Sequence, residues 1–374
     1  MAEEDRGTVA QGSTWRVDAG ELRRLVSEVG ELCGLPADHV PLFADGLLEA
    51  DLRGIPSHGV YRLGMYARGF QRGLINPTPQ LQEFGSRPAS RVLDGDNGLG
   101  LIVGQLAMDR SIELAQENGV GAVGVRNSNH SGVLAVHVRR AAVRGMIGFF
   151  TSNAPALMAP WGSREALISN SPFAYAFPSG QDPVIVDMAC SAAARGRIRL
   201  AAAATGKIPR GWALDANGNA TEDAVAAMRG LVLPMAEHKG SAMAIAFEIL
   251  AACLSGARLS KDVPRGFLSE SADTLDSWGV GHFAVSFDVG AMRPLAEFEA
   301  QVDELATAVR SSAPSGAFQE VQMPGDVELR SAKALGATGV NLSEQTVAGL
   351  ERLRRELGLQ SPLTRLPKQE ATGG

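Results

Sequence analysis

The sequence predicts an α/β protein, with an α/β domain over 86–290 inserted into a helical unit built from both chain ends, 1–85 and 291–374. Three observations carry this. Apolar residues recur at helical spacing in the first seventy residues and again from Leu295 onward. Between those stretches, short apolar runs alternate with longer helical ones, the pattern of strands covered by helices. The 43 glycines imply many tight turns and close backbone approaches, which suits an enzyme built around a ligand better than a helical scaffold. A chain of 374 residues is long enough for two domains.

Taken in order, Asp18 and Glu21 form a capping-box pattern ahead of Leu22, Leu25, Val26, Val29 and Leu32, a helix that ends at Gly34. A second helix runs from near Pro36 to Leu52 and buries Val40, Phe43, Leu47 and Leu48; a third follows Gly59. Asn76-Pro77-Thr78-Pro79 cannot lie inside a helix and marks a boundary. Arg91–Leu93 then reads as a strand, Leu101–Asn118 as a helix, Val120–Val125 as a strand, Val133–Arg144 as a helix and Met146–Phe150 as a strand. Val184–Val186 is strand-like and leads into an alanine-rich helix ending near Ala204. Lys239–Leu254 is an apolar helix and His282–Phe287 a strand. Leu295–Ser311 and Ser343–Leu357 return to helix, and the last few residues are expected to be disordered.

Composition narrows the function classes. No stretch approaches the roughly 18 uninterrupted apolar residues of a membrane span. The start, Met1–Gly7, is acidic and polar, without the features of a signal peptide. Cys33, Cys190 and Cys253 are odd in number and far apart, so reduced, mostly buried thiols are expected, and with them a cytoplasmic location. A net charge of −6 with no basic stripe argues against nucleic acid. No metal-ligand spacing is present.

Gly119-Val120-Gly121-Ala122-Val123-Gly124 matches the letters of the GxGxxG dinucleotide fingerprint. The fingerprint needs a strand before the glycines and a helix N-terminus after them. Here the order is reversed, so Gly119 reads as a helix C-cap and the other two glycines as parts of a strand. The cluster from Asp94 to Gly100 has the right neighbours but the wrong spacing, and its two aspartates would repel phosphate. A bound dinucleotide would therefore need a site other than a standard Rossmann loop.

Of the six histidines, His39 reads as a surface residue, His137 as structural and His282 as either. His58 lies in Ser57-His58-Gly59-Val60-Tyr61-Arg62, where the glycine leaves room for substrate. Arg62, four residues on, shares a face with His58 if a helix starts there. An imidazole donates a proton to a developing alkoxide or amine, and a guanidinium holds a carboxylate with two prongs. A helix-capping histidine beside a surface arginine is the competing reading. His130 stands in the polar run Arg126–Gly132 between a strand and a helix, either a catalytic loop or a helix cap with Ser131 as the capping residue.

Together these strings resemble the malate/L-lactate dehydrogenase family of the non-Rossmann type, from about Val17 to Leu359. That family also includes ureidoglycolate and sulfolactate dehydrogenases, diketogulonate reductase and the piperideine- and pyrroline-2-carboxylate reductases. The resemblance rests on Ser57-His58-Gly59 with Arg62, Leu93–Gly100, Asn127–His130, Met158–Gly162, Val186–Ser191, Ile208–Ala213, Leu233–Met235 through Lys239-Gly240, and Met323–Asp326. It implies a sulfolactate-dehydrogenase-like fold, a homodimer, and NAD or NADP as cofactor. The helical unit would then serve substrate and dimerisation, and the α/β domain the cofactor. By matching position, His58 is the general acid, Arg62 the carboxylate anchor, and His130 a partner that orients substrate or relays the proton. The cofactor residues implied are Ser57, Asn170, Pro172, Asp187, Met188, Ala189, Ser191, His238, Lys239, Pro324 and Gly325. Asp187–Ser191 as a simple strand-to-helix cap, and Lys239 as an ordinary first-turn lysine, remain open from the residues alone.

The chain departs from the family pattern in places. Ser169-Asn170-Ser171-Pro172 stands where Gly-Thr-Asn-Pro is usual, Ser163 where a second glycine follows Pro-Trp-Gly, and Ala236-Glu237-His238 where a glycine pair precedes the lysine. Asp326 replaces the glutamate of the PGE turn, and Val327 follows where a basic residue is common. The expected activity is reversible, NAD(P)H-dependent reduction of a small 2-oxo acid at C2. Ile208–Asp215 keeps cyclic-imine reduction open, and the departures keep a catalytically inactive nucleotide-binding relative open. Arg195, Arg197 and Arg199 either meet a 2′-phosphate of NADP or lie exposed on a helix.

Overall fold

A computed structural model describes residues 14–264, 277–360 and 362–367. The polar start 1–7 and the final residues 368–374, where disorder is expected, lie outside the described residues. In chain order the elements begin β1 (Thr14–Val17), α1 (Ala19–Leu32), α2 (His39–Leu52), α3 (Leu63–Gln71), β2 (Gln82–Phe84) and β3 (Ser90–Asp94). Next come α4 (Gly100–Asn118), β4 (Val120–Ser128), α5 (Ala135–Ala142), β5 (Met146–Ser152), β6 (Phe173–Phe177) and β7 (Val184–Met188). They continue as α6 (Arg195–Ala204), β8 (Ala213–Leu214), β9 (Ala220–Thr221), α7 (Ala224–Arg229), β10 (Leu231–Val232) and α8 (His238–Glu248). The last are β11 (Val280–Asp288), α9 (Leu295–Arg310), α10 (Asp326–Thr338), β12 (Val340–Ser343) and α11 (Glu344–Leu357).

The chain divides into two compact units, one over Pro79–Gly325 and one formed by the described parts of Thr8–Thr78 and Asp326–Gly374. The first crossing falls between Thr78 and Pro79. The second lies at Gly325, not near residue 290, because α9 groups with the sheet unit.

In the helical unit, the Asp18 carboxylate accepts the Glu21 amide at 2.9 Å and so starts α1. Leu22, Leu25, Val26 and Val29 of α1 are buried, as are Phe43, Ala44 and Leu47 of α2. Phe43 meets Tyr66 and Phe70 edge-on at 6.0 and 6.1 Å. His39, expected at the surface, is 9% exposed, and burial lowers its pKa against the opposing pull of Asp38. The ends are not wholly helical: β1 and β12 pair antiparallel, Val17 opposite Val340.

The sheet unit holds a seven-stranded sheet among the described residues, in the order β2-β3-β4-β11-β5-β6-β7. Only β3 and β4 run parallel within it. The reversed reading of the glycine fingerprint holds: Gly119 caps α4 at φ 80°, and β4 starts at Val120. At Gly121 a β-carbon would come within 2.0 Å of the Ser111 carbonyl, so this glycine serves helix-on-sheet packing. On one side Phe149, Phe173 and Phe247 cluster, with ring centroids of Phe173 and Phe247 4.7 Å apart. β4 runs on to Ser128, so the first half of the polar run 126–132 is strand and only its second half is loop. Of the cysteines, Cys190 is buried and Cys33 partly buried. Cys253, expected to be buried, is exposed on a π-turn that extends α8.

Candidate active site

In the helical unit, His58 and Arg62 do not share a helix. Pro56–His58 and Val60–Arg62 are two single 3-10 turns with Gly59 extended between them, and α3 starts only at Leu63. What joins them is Ser57. Its hydroxyl lies 2.9 Å from His58 Nδ1, and its carbonyl accepts from Arg62 Nε at 2.7 Å. Arg62 Nη1 rests 3.7 Å from the Met65 sulfur, and among the described residues no carboxylate pairs with the guanidinium. Its fork is thus held from behind.

Gly59 does not make room for substrate. A β-carbon there would lie 2.1 Å from the Asp51 carboxylate, which fills the space and accepts the Val60 amide at 2.7 Å. Asp51 is 4% exposed, and burial pushes its pKa up to about 7 against the Val60 hydrogen bond, which lowers it. Sequence reasoning missed this residue. The signal was there: Phe43, Leu47 and Asp51 are four apart, which puts an acid on the buried face of α2. His58 is held down to about 4, by burial first and by the Arg62 charge second.

In the sheet unit, His130 lies two residues past the end of β4. Its Nδ1 accepts the Gly132 amide at 3.3 Å, which leaves the proton of the neutral ring on Nε2. Neighbouring residues fix the loop. Asn127 sits at φ 52° and donates to Asp94, and Asn129 donates to Asn97 at 2.9 and 2.8 Å. Asp94 is therefore occupied by Asn127 and Arg126 within the turn it belongs to.

The residues implied for the cofactor in this unit converge on the carboxyl end of β7, an edge strand of the sheet. Asp187 accepts the Ala135 amide at 2.8 Å, so one of its oxygens caps α5, a structural duty beside any functional one. The Cys190 amide donates to Asn170 and the Met235 amide to Cys190, each at 2.8 Å, and Ser191 bridges Pro234. This stitching brings Asn170, Asp187–Ser191 and the start of α8 with His238 and Lys239 together. Pro172 is tied to β5, accepting from Thr151 Oγ1 at 2.9 Å. Gly325 abuts β7, its missing β-carbon 2.9 Å from the Ile185 carbonyl, which brings in Pro324 as well. Two of the α6 arginines have structural partners: Arg195 donates to the Met228 carbonyl at 2.5 Å, and Arg197 lies over the Trp212 ring at 5.5 Å.

A sequence profile described as malate/L-lactate dehydrogenase matches residues 17–351. The L-sulfolactate dehydrogenase of Methanocaldococcus jannaschii is 33% identical over 337 residues, covering 90% of this chain and 96% of that protein. The solved sulfolactate dehydrogenase structure from that organism superposes with a TM-score of 0.86 at 32% identity, covering 92% of this chain and 98% of that one. The malate dehydrogenase of Pyrococcus abyssi is 31% identical over 353 residues, covering 92% and 96%. The NAD-linked ureidoglycolate dehydrogenase of Escherichia coli O157:H7 is 30% identical over 313 residues, covering 82% and 88%.

Proposed function

The chain belongs to the malate/L-lactate dehydrogenase family, and from that premise we propose that it reversibly reduces a small 2-oxo acid at C2 with NADH or NADPH. The observation that carries this reading is the Ser57–Arg62 turn, where one residue positions both an imidazole and a guanidinium. With Nε spent on Ser57, Arg62 offers its terminal nitrogens to a carboxylate. His58 has its Nδ1 on Ser57, so the proton moves at Nε2.

The residues around β7 fit a dinucleotide. An edge strand leaves Met188 43% exposed at its end, and the first turn of α8 offers the Lys239 side chain to a phosphate, its amides at Lys239, Gly240 and Ser241 being spent on Ala236, Met235 and Glu237. Asp187–Ser191, Asn170, Pro172, His238, Lys239, Pro324 and Gly325 would hold it. The bound nicotinamide supplies or accepts the hydride.

His58 is neutral at pH 7, which suits a base that takes the hydroxyl proton of a 2-hydroxy acid. In the reducing direction a carboxylate on Arg62 cancels the charge that helps hold His58 down, so substrate raises the proton affinity of its own acid. His130 Nε2–H donates to the substrate oxygen and stabilises the charge that develops there. The same reading carries a homodimer, supported by exposed Met243, Ile245, Ile249 and Leu254 and checked by light scattering on the eluting protein.

The test is NADH and NADPH oxidation against the 2-oxo forms of lactate, malate and sulfolactate, with pyrroline- and piperideine-2-carboxylate alongside. Turnover of a 2-oxo acid is expected, falling at least a hundredfold in His58→Ala while cofactor still binds. Arg62→Lys is expected to raise KM, because an ammonium cannot make the two-pronged contact. Turnover confined to the cyclic imines moves the chemistry to C=N. Cofactor binding without turnover of any of these compounds overturns the reading in favour of an inactive relative.

A further inference from the structure

Resting on the role given to His130, we propose that two buried histidines, His282 and His137, form a clamp that positions the His130 loop from below. The ends of β4, β5 and β11, the three central strands, meet at one end of the sheet, where His282 lies between two hydroxyls. Its Nδ1 is 2.9 Å from Ser152 Oγ and its Nε2 2.9 Å from Ser128 Oγ. With the single hydrogen of Ser152 on the carbonyls of Asn153 and Gly281, at 2.8 and 3.3 Å, the hydroxyl accepts from His282, the tautomer we assign. Nδ1 therefore carries the proton, Nε2 is bare, and Ser128 donates to it. One tautomer satisfies the whole chain of bonds, and it ends on the residue two before His130.

His137 holds the other side. Its Nε2 lies 2.9 Å from the Ser131 carbonyl, an acceptor only, so Nε2 carries the proton here. Its Nδ1, bare in this tautomer, has no hydrogen-bond partner among the described residues and lies 3.0 Å from where a β-carbon on Gly104 would sit. Phe150 stacks on His137 at 4.2 Å and leans on His282 at 5.5 Å, so the two rings are packed through one aromatic spacer. Both histidines and Ser128 are fully buried, and Ser131 nearly so. His130 is thus flanked by Ser131, tied to one buried histidine, and reached from Ser128, tied to the other. Neither histidine is placed at the reacting atoms; both act through His130 as positioning residues.

The test pairs Ser128→Ala with Ser286→Ala. Each removes one hydroxyl from a buried pair involving β11, since Ser286 Oγ meets Ser111 Oγ at 2.7 Å, but only Ser128 lies under the loop. Similar losses of Tm are expected in both. Ser128→Ala alone should lower kcat by about tenfold or more, with the Kd for NAD(P)H unchanged, because a misplaced group slows the reaction without weakening cofactor binding. Amide exchange at Asn129–Gly132 should quicken in Ser128→Ala and not in Ser286→Ala. Imidazole ¹⁵N shifts should show His282 protonated at Nδ1 and His137 at Nε2. Wild-type kcat and KM in Ser128→Ala, or the opposite tautomer at His282, would overturn the clamp. If the wild-type protein reduces no 2-oxo acid, the proposed function fails by itself, and the clamp stands or falls on exchange and tautomer alone.

Discussion

Single ionisable residues pull the stability of this chain in opposite directions with pH, and magnitudes decide the outcome. His137 and His282 are held neutral, at about 4 and about 3, by burial above all. A histidine whose folded pKa lies below its unfolded value stabilises fully above the unfolded pKa, and that contribution is lost as pH falls. Between about pH 7 and 5 each loses about 2 kcal/mol. Asp51 works the other way. Its raised pKa, about 7, means the folded chain binds a proton there that the unfolded chain releases, so acidification returns about 2 kcal/mol. The histidines win, and His58 adds in the same direction. Denaturant unfolding at the two pH values should show a net loss at pH 5, and Asp51→Asn should steepen it by removing the opposing group. A flat profile in Asp51→Asn would mean that the histidines are not buried as neutral rings. Residue type and local pattern pointed to His58, Arg62 and His130. Asp51 was legible in the same local way, as an acid on the apolar spacing of α2, whereas the Ser128–His282–Ser152 chain was not, because it depends on which strands meet, and that is not a local property.

At the scale of the element, most helices and the longer strands follow from periodicity, with ends moved by a few residues. α8 begins at His238, and β4 outruns its apolar stretch because Asn127 and Ser128 find hydrogen-bond partners across the sheet and turn. The pairing of β1 with β12 was invisible, since it joins residues more than three hundred positions apart. The turn into α8 shows how a departure in sequence registers in structure. Ala236-Glu237-His238 stands where a glycine pair precedes the lysine in the family pattern, and Ala236 and Glu237 have φ values of 45° and 57°, with ψ −123° at Glu237. A side chain in that region costs about 1–3 kcal/mol. Glu237→Gly relieves this but adds about 0.4–1 kcal/mol of unfolded-chain entropy. A net gain of about 1 kcal/mol is expected, seen as a Tm about 2 °C higher. A lower Tm would show that the Glu237 side chain contributes more than the backbone loses. Because the turn leads into His238 and Lys239, the same variant should also weaken cofactor binding by freeing the start of α8.

At the scale of the molecule, the two units carry different residues of the proposed reaction. The unbroken segment Pro79–Gly325 carries every residue assigned to the cofactor except Ser57, whereas Ser57, His58 and Arg62 belong to the unit built from two chain segments. In the sequence both ends read as helical and the Asn76–Pro79 stretch breaks the pattern. The exit point was not legible, because α9 has the amphipathic look of the terminal helices and only its packing assigns it to the sheet unit. The division makes a prediction for hydrogen exchange on the full chain. NADH or NADPH alone should slow exchange across Asp187–Ser191 and His238–Gly240, and at a hundred times its Kd should add about 2.7 kcal/mol of stability. A 2-hydroxy acid added afterwards should protect Ser57–Arg62, through the carboxylate on Arg62. Protection of Asp187–Ser191 by the acid rather than the cofactor would reverse the two assignments. A cofactor that protects neither Asp187–Ser191 nor His238–Gly240 would move the dinucleotide away from β7.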